Sequence, residues 1–291
     1  MAAEKPSIGD CGPRWRPPGL VQASVALHAG AAASALIWPS IVASDIALVV
    51  VNHLVLLGAT LSPRSAWLGP NWVRLPREAA GRGEIALTID DGPDPVVTPQ
   101  VLDILDRYRA KATFFCIGER AARYRALAGE LTRRGHAVEN HSQRHLHHFS
   151  LLGPRGITRE LEAAQETLGA LTGMPPLFFR APAGFRNAML DPVLFRHGLR
   201  LASWTRRGFD TRERDPRKVA GRLIRGLQTG DILLLHDGHA ARTPSGNAVI
   251  VEALPRVLDA VAAAGLRPVT LRESIAATTP WGGVARPGAP E

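Results

Sequence analysis

The chain has 291 residues, 45% hydrophobic and 21% charged, with a formal charge of +9. That size and balance exclude a disordered chain and allow one large domain plus an appendage. Of its 35 basic residues only Lys5, Lys111 and Lys218 are not arginine, which suits anionic lipid or phosphorylated sugars, while 5% aromatics and no basic–aromatic stripe argue against nucleic acid. Cys11 and Cys116 lie far apart, so there is no disulfide framework, and a reducing compartment is favoured.

Residues 1–18 are polar and rich in Pro and Gly, an expected disordered N-terminus. Leu20 to Trp38 carries no charge, and after Pro39-Ser40 the run from Ile41 to Leu61 carries only Asp45. Each run is about 20 residues, enough to cross a hydrocarbon core of roughly 30 Å, so residues 19–61 read as two transmembrane helices. A cleaved signal peptide is the rival, but a second long apolar run follows the first without a clear gap. Within the second run Asp45 is expected near the loop end of its helix, and Asn52 and His53 facing the partner helix or the catalytic domain. Arg14 and Arg16 precede the pair and Arg64, Arg74 and Arg77 follow it, with no basic residue in the connecting loop. By the positive-inside rule both outer ends are cytoplasmic, and the domain that follows with them. Residues 62–83, rich in Pro, Gly and Arg, read as a linker.

From Glu84 short apolar strands alternate with amphipathic helices. Strand 85–89 precedes a helix expected to be capped at Thr98-Pro99, with Val101, Leu102, Leu105 and Tyr108 on one face. Strand 112–117 leads to a helix ending at Gly135, and strand 136–139 to a His-rich segment. A helix around 158–172 stops at Gly173. Strands near 177–180, 199–204, 231–235 and 268–271 follow, with helices around 191–197, 216–228 and 248–264. Seven β/α units imply a parallel sheet and suit a barrel-like closure. Residues 276–291 read as a disordered tail.

Polar residues gather where strands end. Strand one runs into Asp90-Asp91-Gly92-Pro93; two adjacent carboxylates can divide the labour, one holding a metal and one accepting a proton, although a turn with solvated acids is the plain alternative. His141 and His145 are four residues apart and on a helical turn would point the same way; with a carboxylate they would make a three-ligand metal site with open positions. Strand four ends in Arg180-Ala181-Pro182-Ala183, and Arg180 at that rim can hold Asp90 bidentately. Strand five ends in Arg206-Arg207-Gly208-Phe209-Asp210, and strand six in Leu234-Leu235-His236, where a terminal His suits a general acid. Each has a structural reading when taken alone. Polar devices at the ends of consecutive strands are harder to explain as core packing.

These motifs, in order across residues 84–275, resemble the NodB-homology polysaccharide deacetylase family. The resemblance implies a distorted (β/α)7 barrel behind an N-terminal transmembrane hairpin, and a hydrolase removing an N-acetyl group from an amino sugar. It further implies Asp90 as general base, Asp91, His141 and His145 as ligands of a divalent metal such as Zn2+, and Arg180 as the residue that orients Asp90. His236 would be the general acid tuned by Asp210, with the Ala183 N–H and Leu234 at the oxyanion and substrate. The chain departs from the family pattern in three places. Ala183 and Thr211 stand where aromatics are usual, and Arg206 or Arg207 stands at an often acidic site, which touches pocket size and substrate class.

The expected substrate is a membrane-bound, polyprenyl-phosphate-linked amino sugar of surface-glycan or lipopolysaccharide assembly, met at the cytoplasmic face of a bacterial-type inner membrane. The rivals are a deacetylase or deformylase of a periplasmic polymer such as peptidoglycan, an inactive metal- and sugar-binding relative, and a sugar-nucleotide transferase. The histidines speak against the transferase.

Overall fold

The structure, a computed structural model, describes residues 14–276. Cys11 and most of both stretches expected to be disordered lie outside the described residues. Two apolar helices open the fold, α1 (Gly19–Ile37) and α2 (Val42–Thr60). They pack as a hairpin: Asn52 Nδ2 donates to Ser24 Oγ at 2.9 Å, and the His53 ring meets the His28 ring at 5.2 Å. Asn52 and His53 thus face the partner helix, and Asp45 lies in the first turn of α2. Leu36, Leu48, Leu54 and Leu57 point outward, each more than half exposed. Both helices are long and apolar enough to cross a membrane, and such side chains call for an apolar surround.

The body holds α3 (Arg77–Gly81), β1 (Glu84–Asp90), α4 (Val97–Arg107), β2 (Thr113–Cys116), α5 (Gly118–Arg123), α6 (Arg125–Arg133) and β3 (Ala137–Asn140). It continues with α7 (Pro154–Thr172), β4 (Phe178–Phe179), α8 (Leu190–Arg196), β5 (Arg200–Leu201), β6 (Arg206–Arg207), α9 (Pro216–Ile224), β7 (Ile232–His236), α10 (Val249–Ala263), β8 (Arg267–Val269) and α11 (Leu271–Ala276). The strands are parallel in the order β5-β4-β3-β2-β1-β7-β6, with β8 pairing the first half of β1. This curled sheet with helices outside it is the distorted (β/α)7 barrel.

Period-two alternation sets its layers. Ile85, Leu87 and Ile89 of β1 and Leu233 and Leu235 of β7 face the outer helices, in one core with Val101, Leu105, Leu254 and Val257. Ala86, Ile232, Leu234, Phe115 and Phe178 fill the interior. Carried to the strand ends, the inward phase falls on Asp90 and His236, which are register partners across β1 and β7.

Several boundaries differ from expectation. Residues 62–83 are not a free linker: Leu68, Trp72, Leu75 and Ala79 are buried. Trp72 bridges Ala202 in parallel and Arg74 bridges Asp231, so this segment spans the gap between the end of β5 and the start of β7. The stretch expected at 199–204 keeps only β5 as strand, because Ser203 N turns to the Trp72 carbonyl at 2.8 Å. Asp94, not Thr98, caps α4, its Oδ1 accepting from the N–H groups of Val96 and Val97, both at 2.9 Å. The helix expected to run to Gly135 breaks at Tyr124. The α9 helix stops at Ile224 because the carbonyls of Arg225 and Gly226 turn aside to the Arg206 guanidinium.

Candidate active site

The base of the site is the end of β1. Alternation would send Asp91 to the face opposite Asp90, but its φ of +70° turns the chain so that both carboxylates reach the same mouth. Gly92 is required beside it, since an added Cβ would lie 2.5 Å from the Asp237 carboxylate.

Asp90 is held from β4's end. Arg180 donates from Nη1 to Asp90 Oδ1 at 2.7 Å and to Thr88 Oγ1 at 2.8 Å, from Nε to the Ala202 carbonyl, and from Nη2 to the Ser203 carbonyl. The expected bidentate grip is therefore a single-oxygen contact, because the fork spends its remaining donors on barrel carbonyls. The guanidinium stacks 4.1 Å from the Phe115 ring.

The two histidines meet, but not on a helical turn. Ser142 and His145 have φ values of +64° and +52°, so the segment loops over the rim. Asn140 Oδ1 accepts from Ser142 N and Ser142 Oγ from His145 N, which pins the loop. His141 donates from Nδ1 to the Arg180 carbonyl at 2.8 Å, leaving Nε2 to face the site. Nε2 of His141 and Nε2 of His145 each lie 3.2 Å from Asp91 Oδ1. That oxygen is buried without a hydrogen-bond partner. A buried carboxylate oxygen between two imidazole nitrogens is an arrangement a cation completes, and the three donor atoms lie within 4.8 Å of one another. The two imidazoles differ electrostatically: burial lowers His141, but the Asp90 and Asp91 charges outweigh it and raise it. Burial alone would raise the Asp91 carboxyl, yet the nearby imidazoles of His141 and His239 hold it well below the usual range. Burial, reinforced by the His141 charge, lowers His145 to about 4, so it presents a lone pair at neutral pH.

On the neighbouring strand β7, His236 donates from Nδ1 to Asp210 Oδ1 at 2.9 Å, and its backbone N–H donates to Asp210 Oδ2 at 2.6 Å. Burial lowers the imidazole, but the Asp210 charge and hydrogen bond overcome it and lift His236 to about 9. A cavity of about 160 Å³ joins these groups, walled by Ala183, Gly184, Trp204, Arg207, Thr211 and Leu234.

The structure thus gathers every expected residue: Asp90, Asp91, His141, His145, Arg180, Ala183, Asp210, Leu234 and His236. It adds two that sequence reasoning missed. His239 Nδ1 lies 3.2 Å from Asp91 Oδ2. Asp237 is buried, raised by that burial to about 7, and held by Thr98 Oγ1 and by its own neighbour's N–H at Gly238. The run His236-Asp237-Gly238-His239 carried the signal, three titratable residues around a glycine at a strand's end.

A family model described as polysaccharide deacetylase matches residues 77–202. The chain is 34% identical over 191 residues to a peptidoglycan-N-acetylglucosamine deacetylase of Bacillus cereus, covering 65% of this chain and 86% of that protein. It is 33% identical over 165 residues to a chitooligosaccharide deacetylase of Sinorhizobium fredii, covering 56% of this chain and 76% of that one. Among solved structures, a family 4 carbohydrate esterase from Streptomyces lividans in complex with acetate superposes with a TM-score of 0.58 at 30% identity, covering 64% of this chain and 91% of that chain.

Proposed function

The chain belongs to the polysaccharide deacetylase family, and from that premise we propose how its residues divide the work. It is a metal-dependent hydrolase of the carbon–nitrogen bond in N-acetyl amino sugars. In our reading Asp91, His141 and His145 hold the metal, with Zn2+ the best match to two imidazoles, one carboxylate and open positions. The observation that carries this is Asp91 Oδ1, buried and unpartnered at 3.2 Å from both Nε2 atoms. When bound, the metal supplies Lewis-acid polarisation of the amide carbonyl and of the attacking water.

The remaining steps belong to the chain. Arg180 fixes Asp90 by one oxygen, and Asp90 takes the water's proton on the other, which is turned toward His141. The Ala183 N–H, at a left-handed bend beside the cavity, donates to the oxyanion, and Leu234 walls the acetyl methyl. His236, protonated at neutral pH by its pairing with Asp210, gives its proton to the departing amine. Acetate and a free amino sugar leave.

The substrate we favour is a polyprenyl-phosphate-linked amino sugar met at the cytoplasmic face of a bacterial-type inner membrane. The apolar hairpin, its arginine flanks and the missing aromatics at Ala183 and Thr211 support it. So does the seating of the hairpin's ends on the barrel. Pro63, just after α2, accepts from Ser203 Oγ at 2.6 Å, and Trp15, just before α1, donates to Asp191 Oδ2 at 2.7 Å. A second reading, a periplasm-facing peptidoglycan or polysaccharide deacetylase, is favoured by the names of the relatives. A reporter fused after Glu291 should respond as cytoplasmic, and mass spectrometry should detect loss of acetyl from a polyprenyl-phosphate N-acetyl sugar. Periplasmic reporter activity would end the lipid-linked reading in favour of the polymer.

A further inference from the structure

Arg206 and Arg207 are neighbours on β6 with opposite fates. Arg206 sits opposite Leu233, and its guanidinium is consumed by Asp231 and by the carbonyls of Arg225 and Gly226. Arg207 sits opposite Leu234, on the face that lines the barrel interior. Its Nε is buried without a hydrogen-bond partner. Its guanidinium carbon lies 5.4 Å from the Trp204 ring and 5.2 Å from the Phe209 ring. Among the described residues no carboxylate pairs with it. Of the two arginines, Arg207 is the one that lines the catalytic cavity.

Arg207 lines the catalytic cavity and also a second cavity of about 290 Å³, bounded by Pro63, Arg64, Trp204, Thr205 and Phe209. Arg207 and Trp204 line both and so form the partition between the two. No acidic residue lines the second cavity among the described residues, and Arg64, anchored to the Thr205 carbonyl at 3.1 Å, adds a cation at its rim. A planar guanidinium stacked on aromatic faces, with donors to spare, matches a phosphate group better than a neutral hydroxyl. In a 2-acetamido sugar the anomeric carbon is bonded to the carbon that bears the amide. A phosphate at that position thus lies within one sugar's width of the bond being cut, as two cavities sharing a wall require.

We propose that Arg207, assisted by Arg64, binds a phosphate ester carried by the amino sugar, making glycosyl phosphates the preferred substrates of this site. The proposal rests on the N-deacetylase reading above and names what that site selects.

The test uses the full chain in phosphatidylcholine nanodiscs. With metal loaded, kcat/KM is measured for N-acetylglucosamine 1-phosphate and for neutral N,N′-diacetylchitobiose. With metal removed, calorimetry measures binding of glucosamine 1-phosphate, independently of turnover. Arg207→Gln should lower the ratio of the two kcat/KM values by roughly 10- to 100-fold and weaken sugar phosphate binding by a similar factor, the usual worth of a charged hydrogen bond. Arg64→Gln should do the same to a smaller degree. Should Arg207→Gln fail to fold, Arg207→Lys keeps the charge, loses the fork, and should show the same shift at reduced amplitude. An equal loss on both substrates, with sugar phosphate binding unchanged, overturns the proposal and leaves Arg207 as a packing residue. A dependence on Arg207 that appears only in phosphatidylglycerol nanodiscs, without the sugar, also overturns it, since the residue would then read bilayer headgroups. If the wild type deacetylates neither sugar, the N-deacetylase reading falls, and the metal-free calorimetry still decides for or against Arg207.

Discussion

Two buried ion pairs stand side by side at the catalytic cavity, and they are built in opposite senses. On one wall the cation Arg180 is the fixture and the carboxylate of Asp90 faces the cavity. On the other, the carboxylate of Asp210 is the fixture and the imidazole of His236 faces the cavity. Asp90 and His236 are register partners on neighbouring strands, so the barrel presents a proton acceptor and a proton donor side by side with little backbone difference between them. What separates their roles is which member of each pair is buried behind the other. One fold can thus run base and acid chemistry at one pH by reversing the order in which charges are stacked.

Removing the proposed metal beside these pairs should have the largest effect. Chelation should abolish turnover, and Asp91→Ala or His141→Ala should lose bound metal as read by elemental analysis; unchanged metal content in both variants would reassign the ligands. Breaking either wall comes next. Asp90→Asn and His236→Ala should each keep the metal and lose roughly 10²–10⁴ in kcat. The two should part when the leaving group is varied: the His236→Ala loss should shrink as the leaving group becomes less basic, and the Asp90→Asn loss should not. Equal behaviour of both variants across such a series would refute the division into base and acid.

The fixtures differ too. Arg180 is 1% exposed and satisfies four acceptors. Arg180→Gln should therefore destabilise the full chain by about 3–5 kcal/mol in denaturant titration, the usual result of orphaning a buried charge. Asp210→Asn keeps shape and should show mainly in the pH profile. His236 is raised to about 9, so its protonated form persists through neutral pH and is lost as pH rises through about 9. With the Asp210 charge gone the alkaline limb of kcat/KM should move to lower pH, and an unmoved limb would give the acid role to another group.

The rim residues were legible because each ends an apolar strand, and alternation carries strand phase into function at Asp90 and His236. Local conformation was less so. His141 and His145 are four apart, but the positive φ at Ser142 and His145 comes from the hydrogen bonds of Asn140 and Ser142, which spacing does not show. Residues 62–83 looked like a linker because Pro, Gly and Arg dominate them, while the few apolar residues that matter, Trp72, Leu75 and Ala79, find their partners on β5 and β7 far away in sequence. Asp237 was hidden for the same reason, since its burial depends on Thr98 and Gly92, each more than a hundred residues away.

Only Leu61 and Ser62 separate the end of α2 from Pro63, whose carbonyl is already gripped by Ser203 and Asn71. A strut that short allows the barrel neither swing nor reach. A bilayer around α2 would hold the catalytic mouth at one working height, and the search for substrate becomes a search over an area. For a lipid-linked substrate, encounter frequency would then be set by how densely it populates the lipid sheet and not by its concentration in the surrounding volume. A glycan strand lying above that height would then stay out of range, however well a single sugar of it would fit the cavity.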